Sequence, residues 1–327
     1  MWLRLTQLPF FLQLFGVASL AMYFPSAHAL SFENYTQARS FFYTGTLGLF
    51  FLFMITLAAS NRQLEETGIQ QLVSLALGFF LLPLYLAIPA YDAIQTTYFI
   101  NAYLDMVSAL TTTGFIVFDP IRLSETLHLW RALVAWLGGA LIWLAAAAIL
   151  APLNLGGFEV ASSNRNHQAQ LLTTSERRMF LRRNFAVLFP IYGGLTAILW
   201  IALTVSGLPG FESLIFSMSI LSTSGITATQ AFSDFDANLV VELIIVLFLI
   251  LALTRGLVAR ERASASISNF STTTELKIAR VVILGAVILL TLRQLIEMEN
   301  GENTFFQMDT GWMIWSNFFT VMSFLTT

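Results

Sequence analysis

Three runs of small hydroxyl-bearing residues, written almost identically, carry the chemistry that can be read directly from this 327-residue chain. The first is Met106-Val107-Ser108-Ala109-Leu110-Thr111-Thr112-Thr113-Gly114-Phe115 and the second is Ser217-Met218-Ser219-Ile220-Leu221-Ser222-Thr223-Ser224-Gly225-Ile226. The third, Val321-Met322-Ser323-Phe324-Leu325-Thr326-Thr327, closes the sequence. Aligning Thr111 with Ser222 and Thr326 gives offsets of 111 and 104 residues, which marks an internal repeat. Thr and Ser offer hydroxyl oxygens, and a following glycine admits backbone dihedrals that turn carbonyl oxygens to one side. Oxygens arranged this way can replace the hydration shell of a cation in a narrow passage. The runs Thr111–Gly114 and Ser222–Gly225 hold no carboxylate, whereas divalent cations usually recruit one, so the ligand chemistry favours a large monovalent cation.

The elements that must hold these runs are apolar. Hydrophobic residues make up 57% of the chain and charged residues only 11%, against roughly a quarter in soluble domains. The mean hydropathy is +0.74. These values predict an all-α polytopic membrane protein, because a spanning helix needs about 20 predominantly apolar residues. Candidate spans are Leu8–Ala29, Ala38–Ala59, Ile69–Tyr91, Leu129–Leu150, Phe185–Val205, Leu239–Leu253 (extended toward Leu257) and Ile278–Leu295. Three shorter apolar stretches, Thr97–Leu110, Pro209–Leu221 and Gly311–Leu325, each lead into a hydroxyl run. They read as pore helices that enter the bilayer and turn back, a geometry tolerated only where protein lines a cavity. Their C-terminal ends, partially negative, would point at a cation.

The expected organisation is therefore two N-terminal spans over 1–60, span–pore-helix–span units over 69–153 and 181–258, and an incomplete third unit over 276–327, where the sequence stops inside its hydroxyl run. Charge supports this topology. Twelve of the 16 Lys and Arg residues fall in Met1–Gln7, Asn61–Glu66, Asn154–Arg183 and Thr254–Arg280, with six of the 19 acids. The positive-inside rule then places the N-terminus in the cytoplasm and the hydroxyl runs toward the outer face. The N-terminal run ending Ala27-His28-Ala29 also has the look of a secretory signal, but its length and Pro25 favour an uncleaved span.

Other functions find little support in the residues. The chain has no cysteine and three histidines scattered in sequence, His28, His128 and His167, so neither thiol chemistry nor a histidine metal cluster is expected. No nucleophile–base or nucleotide motif suggests an enzyme, and nothing suggests a nucleic-acid partner. Intramembrane charges are few: Arg131, Glu242 and Arg293, with Asp105 counted on the outer side. That sparseness argues against a proton relay. Asp105 and Glu242 could each hold cations at the outer mouth or serve as hydrogen-bonded structural carboxylates, and the sequence leaves both readings open.

Leu104–Phe115 followed by Trp130-Arg131-Ala132-Leu133-Val134-Ala135-Trp136-Leu137-Gly138-Gly139 resembles the Trk/Ktr/HKT superfamily of potassium-translocating subunits, in its bacterial Trk branch. The second stretch is similar to that family's Trp-Arg-Ser-x-x-x-Trp-x-Gly-Gly signature. The resemblance implies four span–pore-helix–span repeats around one pore, potassium as the transported ion, and a bacterial inner-membrane location. It also implies a homodimer, contact with lipid, and a cytoplasmic nucleotide-binding regulator of the TrkA type. The selectivity filter would comprise Thr111, Thr112, Thr113, Gly114 and Phe115; Ser222, Thr223, Ser224, Gly225 and Ile226; and Thr326 and Thr327. Ser224 and Ile226 depart from the expected Gly and Phe, and Gly138-Gly139-Ala140-Leu141 from Gly-Gly-x-Gly. The sequence carries the first two repeats and the start of a third. Potassium uptake is the expected function; the alternatives are a non-conducting fragment retaining assembly and regulator-binding surfaces, or a cation-coupled secondary transporter.

Overall fold

A computed structural model describes residues 8–58, 68–146, 174–227, 239–253, 274–299 and 310–326. These residues form eleven α-helices, with one 3-10 turn at Pro120–Arg122. In order they are α1 (Phe10–Ala21), α2 (Tyr23–Ser31), α3 (Tyr35–Ala58), α4 (Gly68–Ile94), α5 (Phe99–Leu110) and α6 (Glu125–Ala145). Then follow α7 (Thr174–Val205), α8 (Gly210–Ser222), α9 (Leu239–Leu253), α10 (Thr274–Glu299) and α11 (Thr310–Thr326).

Helices are the expected solution because a chain crossing lipid must satisfy its backbone polar groups within each segment. Among the described residues, five stretches are long and apolar enough to cross a membrane: Phe10–Ser31, Tyr35–Ala58, Gln70–Ile94, Glu125–Ala145 and Arg183–Val205. The first unites α1 and α2, which meet at Met22. By contrast, α5 and α8 have 12 and 13 residues. At 1.5 Å per residue they reach only about 18–20 Å, short of the ~30 Å hydrocarbon core. The succession of long helix, short helix and long helix thus runs through α4–α5–α6, and begins again with α7–α8.

Boundaries differ from the hydropathy pattern where polar residues extend a helix. Helix α6 starts at Glu125, four residues before the apolar stretch, because the Ser124 hydroxyl accepts the Leu127 N–H and Glu125 occupies the first turn. Helix α7 reaches back to Thr174, eleven residues before Phe185. The expected extension of α9 toward Leu257, the ends of the units at 153 and 258, and Thr327 lie outside the described residues.

The chain divides into two units, Met1–Asp236 and Ala237–Thr327. In the first, α1–α3 share one hydrophobic core with α4–α6, built around fully buried Met22, Phe41, Leu86, Met106 and Trp130. Trp130 is locked there twice: its indole N–H donates to the Leu86 carbonyl at 3.2 Å, and Phe41 stands edge-on at 5.4 Å. Polar ties fasten the N-terminal helices to α6: Ser124 Oγ donates to Gln37 Oε1 at 3.0 Å, and His28 Nδ1 lies 3.0 Å from Thr126 Oγ1. In the second unit, α11 is held on two sides. Its Trp315 indole N–H donates to Glu242 of α9, and Asn317 Nδ2 donates to Gln294 Oε1 of α10 at 2.9 Å and to Thr291 Oγ1 at 3.2 Å.

Candidate functional site

The first two hydroxyl runs leave their short helices by the same turn. Helix α5 ends with the Thr113 N–H donating to the Ser108 carbonyl at 2.9 Å and the Thr112 N–H to Ala109 at 3.0 Å. Helix α8 ends with Ser224 donating to Ser219 at 3.0 Å and Thr223 to Ile220 at 3.2 Å. These paired six-to-one and shorter bonds form the cap that a left-handed residue after a helix permits. That residue is Thr112 (φ 56°) in one loop and Thr223 (φ 55°) in the other. A β-branched residue rarely adopts this conformation, so its recurrence at equivalent positions marks strain maintained by the surroundings.

Two residues later the backbone is left-handed again, at Gly114 (φ 70°) and Gly225 (φ 64°). Left-handed residues thus alternate with ordinary ones in both loops. Such alternation lets successive carbonyls face one side, as backbone that coordinates an ion must.

The hydroxyls in these loops bond mostly to their own loop. Thr111 Oγ1 donates to the Val107 carbonyl at 2.7 Å and lies 2.8 Å from Thr113 Oγ1. Ser222 Oγ lies 3.0 Å from Ser224 Oγ, which in turn reaches Ser219 Oγ at 3.4 Å. Ser108 Oγ donates to the Phe115 carbonyl at 3.2 Å. At the third run, Thr326 Oγ1 donates back to the Met322 and Ser323 carbonyls, both at 2.9 Å, much as Thr111 does. Hydroxyls occupied this way brace the turns.

The structure brings the first two loops together. A Cβ at Gly114 would overlap the Ser224 carbonyl oxygen and lie 3.7 Å from Gly225 Cα. Exposure differs between them: Thr113 and Phe115 are open (Phe115 67%), whereas Ser224 is fully buried and Ile226 joins the core around Trp130. The third run belongs to the other unit and ends, within the described residues, at Thr326.

Helix α6 is the common support. A Cβ at Gly138 would overlap the Leu110 carbonyl oxygen at the end of α5. One at Gly139 would lie 2.9 Å from Ser222 Cα at the end of α8, and 2.8 Å from the Tyr192 hydroxyl. Only glycine allows both approaches. Behind the first loop, Asp105 Oδ2 and Arg131 Nε meet at 3.1 Å, with both side chains almost wholly buried. The Asp105 carboxylate therefore faces a guanidinium, not an opening. Glu242, the other residue with two readings, accepts the Trp315 indole N–H. Among the described residues no group of three His, Asp or Glu side chains is placed to hold a metal ion.

Sequence reasoning missed Tyr192, whose hydroxyl shares the space beside Gly139 with Ser222, and the pairing of Asp105 with Arg131. Opposite charges in neighbouring apolar stretches were a usable signal for the pair; a tyrosine within an apolar span carries none.

Fold and site together define an all-α membrane protein built from long helices and short helices that end in hydroxyl–glycine loops. The chain superposes on the crystal structure of the potassium transporter TrkH from Vibrio parahaemolyticus with a TM-score of 0.71, covering 99% of this chain and 64% of that one at 19% identity. No family model matches the sequence. It is 32% identical over 135 residues to the Trk system potassium uptake protein TrkI of Halomonas elongata, covering 40% of this chain and 26% of that protein. It is 27% identical over 153 residues to the Trk system potassium uptake protein TrkH of Salmonella typhimurium, covering 46% and 31%. The aligned regions thus span about a third or less of these curated relatives. The chain is Trk-like in sequence over under half its length, and has the TrkH fold over nearly all of it.

Proposed function

We propose that this chain forms part of a potassium-uptake pore in a bacterial inner membrane. In this reading Thr111–Phe115 and Ser222–Ile226 are two segments of one selectivity filter, and Thr326 and Thr327 begin a third. The observation that carries it is the matched backbone of the two loops, left-handed at Thr112 and Thr223 and again at Gly114 and Gly225, with Gly114 against the Ser224 carbonyl. A potassium ion would be held by inward carbonyls, with the C-terminal ends of α5 and α8 adding favourable negative potential. The charge distribution supports a cytoplasmic N-terminus. We further propose a homodimer and a TrkA-like regulator docked on the arginine-rich inner side, as the sequence resemblance implies.

The test is growth and flux. A potassium-uptake-deficient bacterium is complemented with the 327-residue chain, and with the chain extended by the C-terminal portion of TrkH. Rescue at low potassium by at least one form is expected. The Gly114→Ser variant of the rescuing form should lose its preference for potassium over sodium in flux measurements. An unchanged preference would remove Gly114 from the filter.

A further inference from the structure

We propose that Tyr192 is a positioning residue for the second loop, acting through the space left by Gly139. Tyr192 is 1% exposed and sits in the middle of α7. Its hydroxyl donates to the Trp136 carbonyl at 3.1 Å, and its ring lies against Trp136 and Trp143 at centroid distances of 5.1 and 5.2 Å. The same cluster is cross-tied: Trp136 Nε1 donates to Thr196 Oγ1 at 2.9 Å, and that hydroxyl donates to the Tyr192 carbonyl at 2.8 Å. The phenol therefore has one position available to it.

The place of the missing Gly139 side chain is shared by the Tyr192 hydroxyl, at 2.8 Å, and by Ser222 Cα and Cβ, both at 2.9 Å. Ser222 hands its position on, since its hydroxyl bonds Ser224, whose carbonyl abuts Gly114. A mechanical sequence runs from Tyr192 through Gly139 and Ser222 to Ser224. The first loop is supported differently, because the three nearest atoms at Gly138 all belong to the Leu110 backbone, with no tyrosine hydroxyl among them. A phenylalanine would fill the ring's volume equally well in an apolar span. The hydroxyl adds a fixed point, and a buried hydroxyl is costly unless bonded.

The consequence for ion preference rests on the filter reading above, but the brace can be measured without it. The chain contains no cysteine, so single-cysteine reporters need no background removal. Thr223→Cys and Thr113→Cys are each made with Tyr192 intact and with Tyr192→Phe, purified as the full chain, and reacted with a small charged methanethiosulfonate; Thr223 adjoins Ser222 and leaves the Ser222–Ser224 bond in place. Loss of the hydroxyl should raise the rate at position 223 by about tenfold, the equilibrium weight of one buried hydrogen bond. The rate at position 113 should stay unchanged. Equal rates at position 223 in both backgrounds would overturn the proposal, as would parallel rises at both positions, which indicate general loosening. A second measurement, thermal stabilisation by potassium chloride against sodium chloride, separates the two readings. If position 223 responds but the wild-type chain shows no potassium preference, the brace stands and the filter reading fails. If wild type prefers potassium, Tyr192→Phe should reduce that preference.

Discussion

Asp105 of α5 and Arg131 of α6 meet at 3.1 Å in a place from which water is almost excluded, and they join the first short helix to the long helix behind it. Removing one partner strands the other as an uncompensated buried charge. Asp105→Asn or Arg131→Gln should each cost about 3–5 kcal/mol, whereas Asp105→Leu with Arg131→Met should recover most of that loss. Thermal unfolding of the three variants against wild type decides it. A fully additive double variant would mean that the two charges act separately.

Gly138 admits a backbone carbonyl, which cannot rotate away as a side chain would. Gly138→Ala should therefore lower the yield of monodisperse protein in size-exclusion chromatography. Gly194→Ala is the internal control, since nothing lies within 4 Å of the added methyl group. Its behaviour should match wild type.

The left-handed threonines store strain that glycine would release. Thr112→Gly and Thr223→Gly should each relieve about 1 kcal/mol or more of backbone strain, partly offset by the greater freedom glycine gives the unfolded chain. The net thermal shift should be small and upward. A marked loss of stability would show that the threonine side chains contribute more than their backbone costs.

Glu242 and Trp315 give a separate test in the second unit. Glu242→Gln keeps an acceptor for the indole N–H, so stability should move by less than about 1 kcal/mol. Trp315→Phe leaves the carboxylate without that donor and should cost about 1–3 kcal/mol. A carboxylate serving at an ion entrance would respond the other way in rubidium flux, with Glu242→Gln the more damaging change.

Much of the helical order was legible because hydropathy reports what lipid demands of a backbone. Segment type and sequence order followed from it, as did the brevity of α5 and α8. Helix ends were less legible. Ser124, Glu125, Thr126 and His128 read as a polar connection, yet capping and buried partners draw them into α6. Thr174 to Asn184 is too polar to read as a span, and continues α7 because intrahelical hydrogen bonding does not stop where apolarity does.

The hydroxyl–glycine loops were legible as repeats, and Gly138-Gly139 as a signature, but not the reason for the pair. That reason lies in three dimensions, where Leu110 and Ser222 arrive from sequence distances of 28 and 83 residues. The roles of Asp105 and Glu242 were undecided for the same cause. A carboxylate in an apolar stretch does not reveal whether a guanidinium, an indole or water faces it.

Adjacent residues on a helix point about 100° apart, so Gly138 and Gly139 open two different sides of one rod. Each side receives the end of one short helix, Leu110 at Gly138 and Ser222 at Gly139, where the Tyr192 hydroxyl also arrives. The spacing between the two loops is thus gauged by a single peptide unit of α6. Any tilt or slide of that helix would carry both loops as a pair, and adjusting one against the other requires substitutions outside the junctions, since glycine offers nothing there to trim.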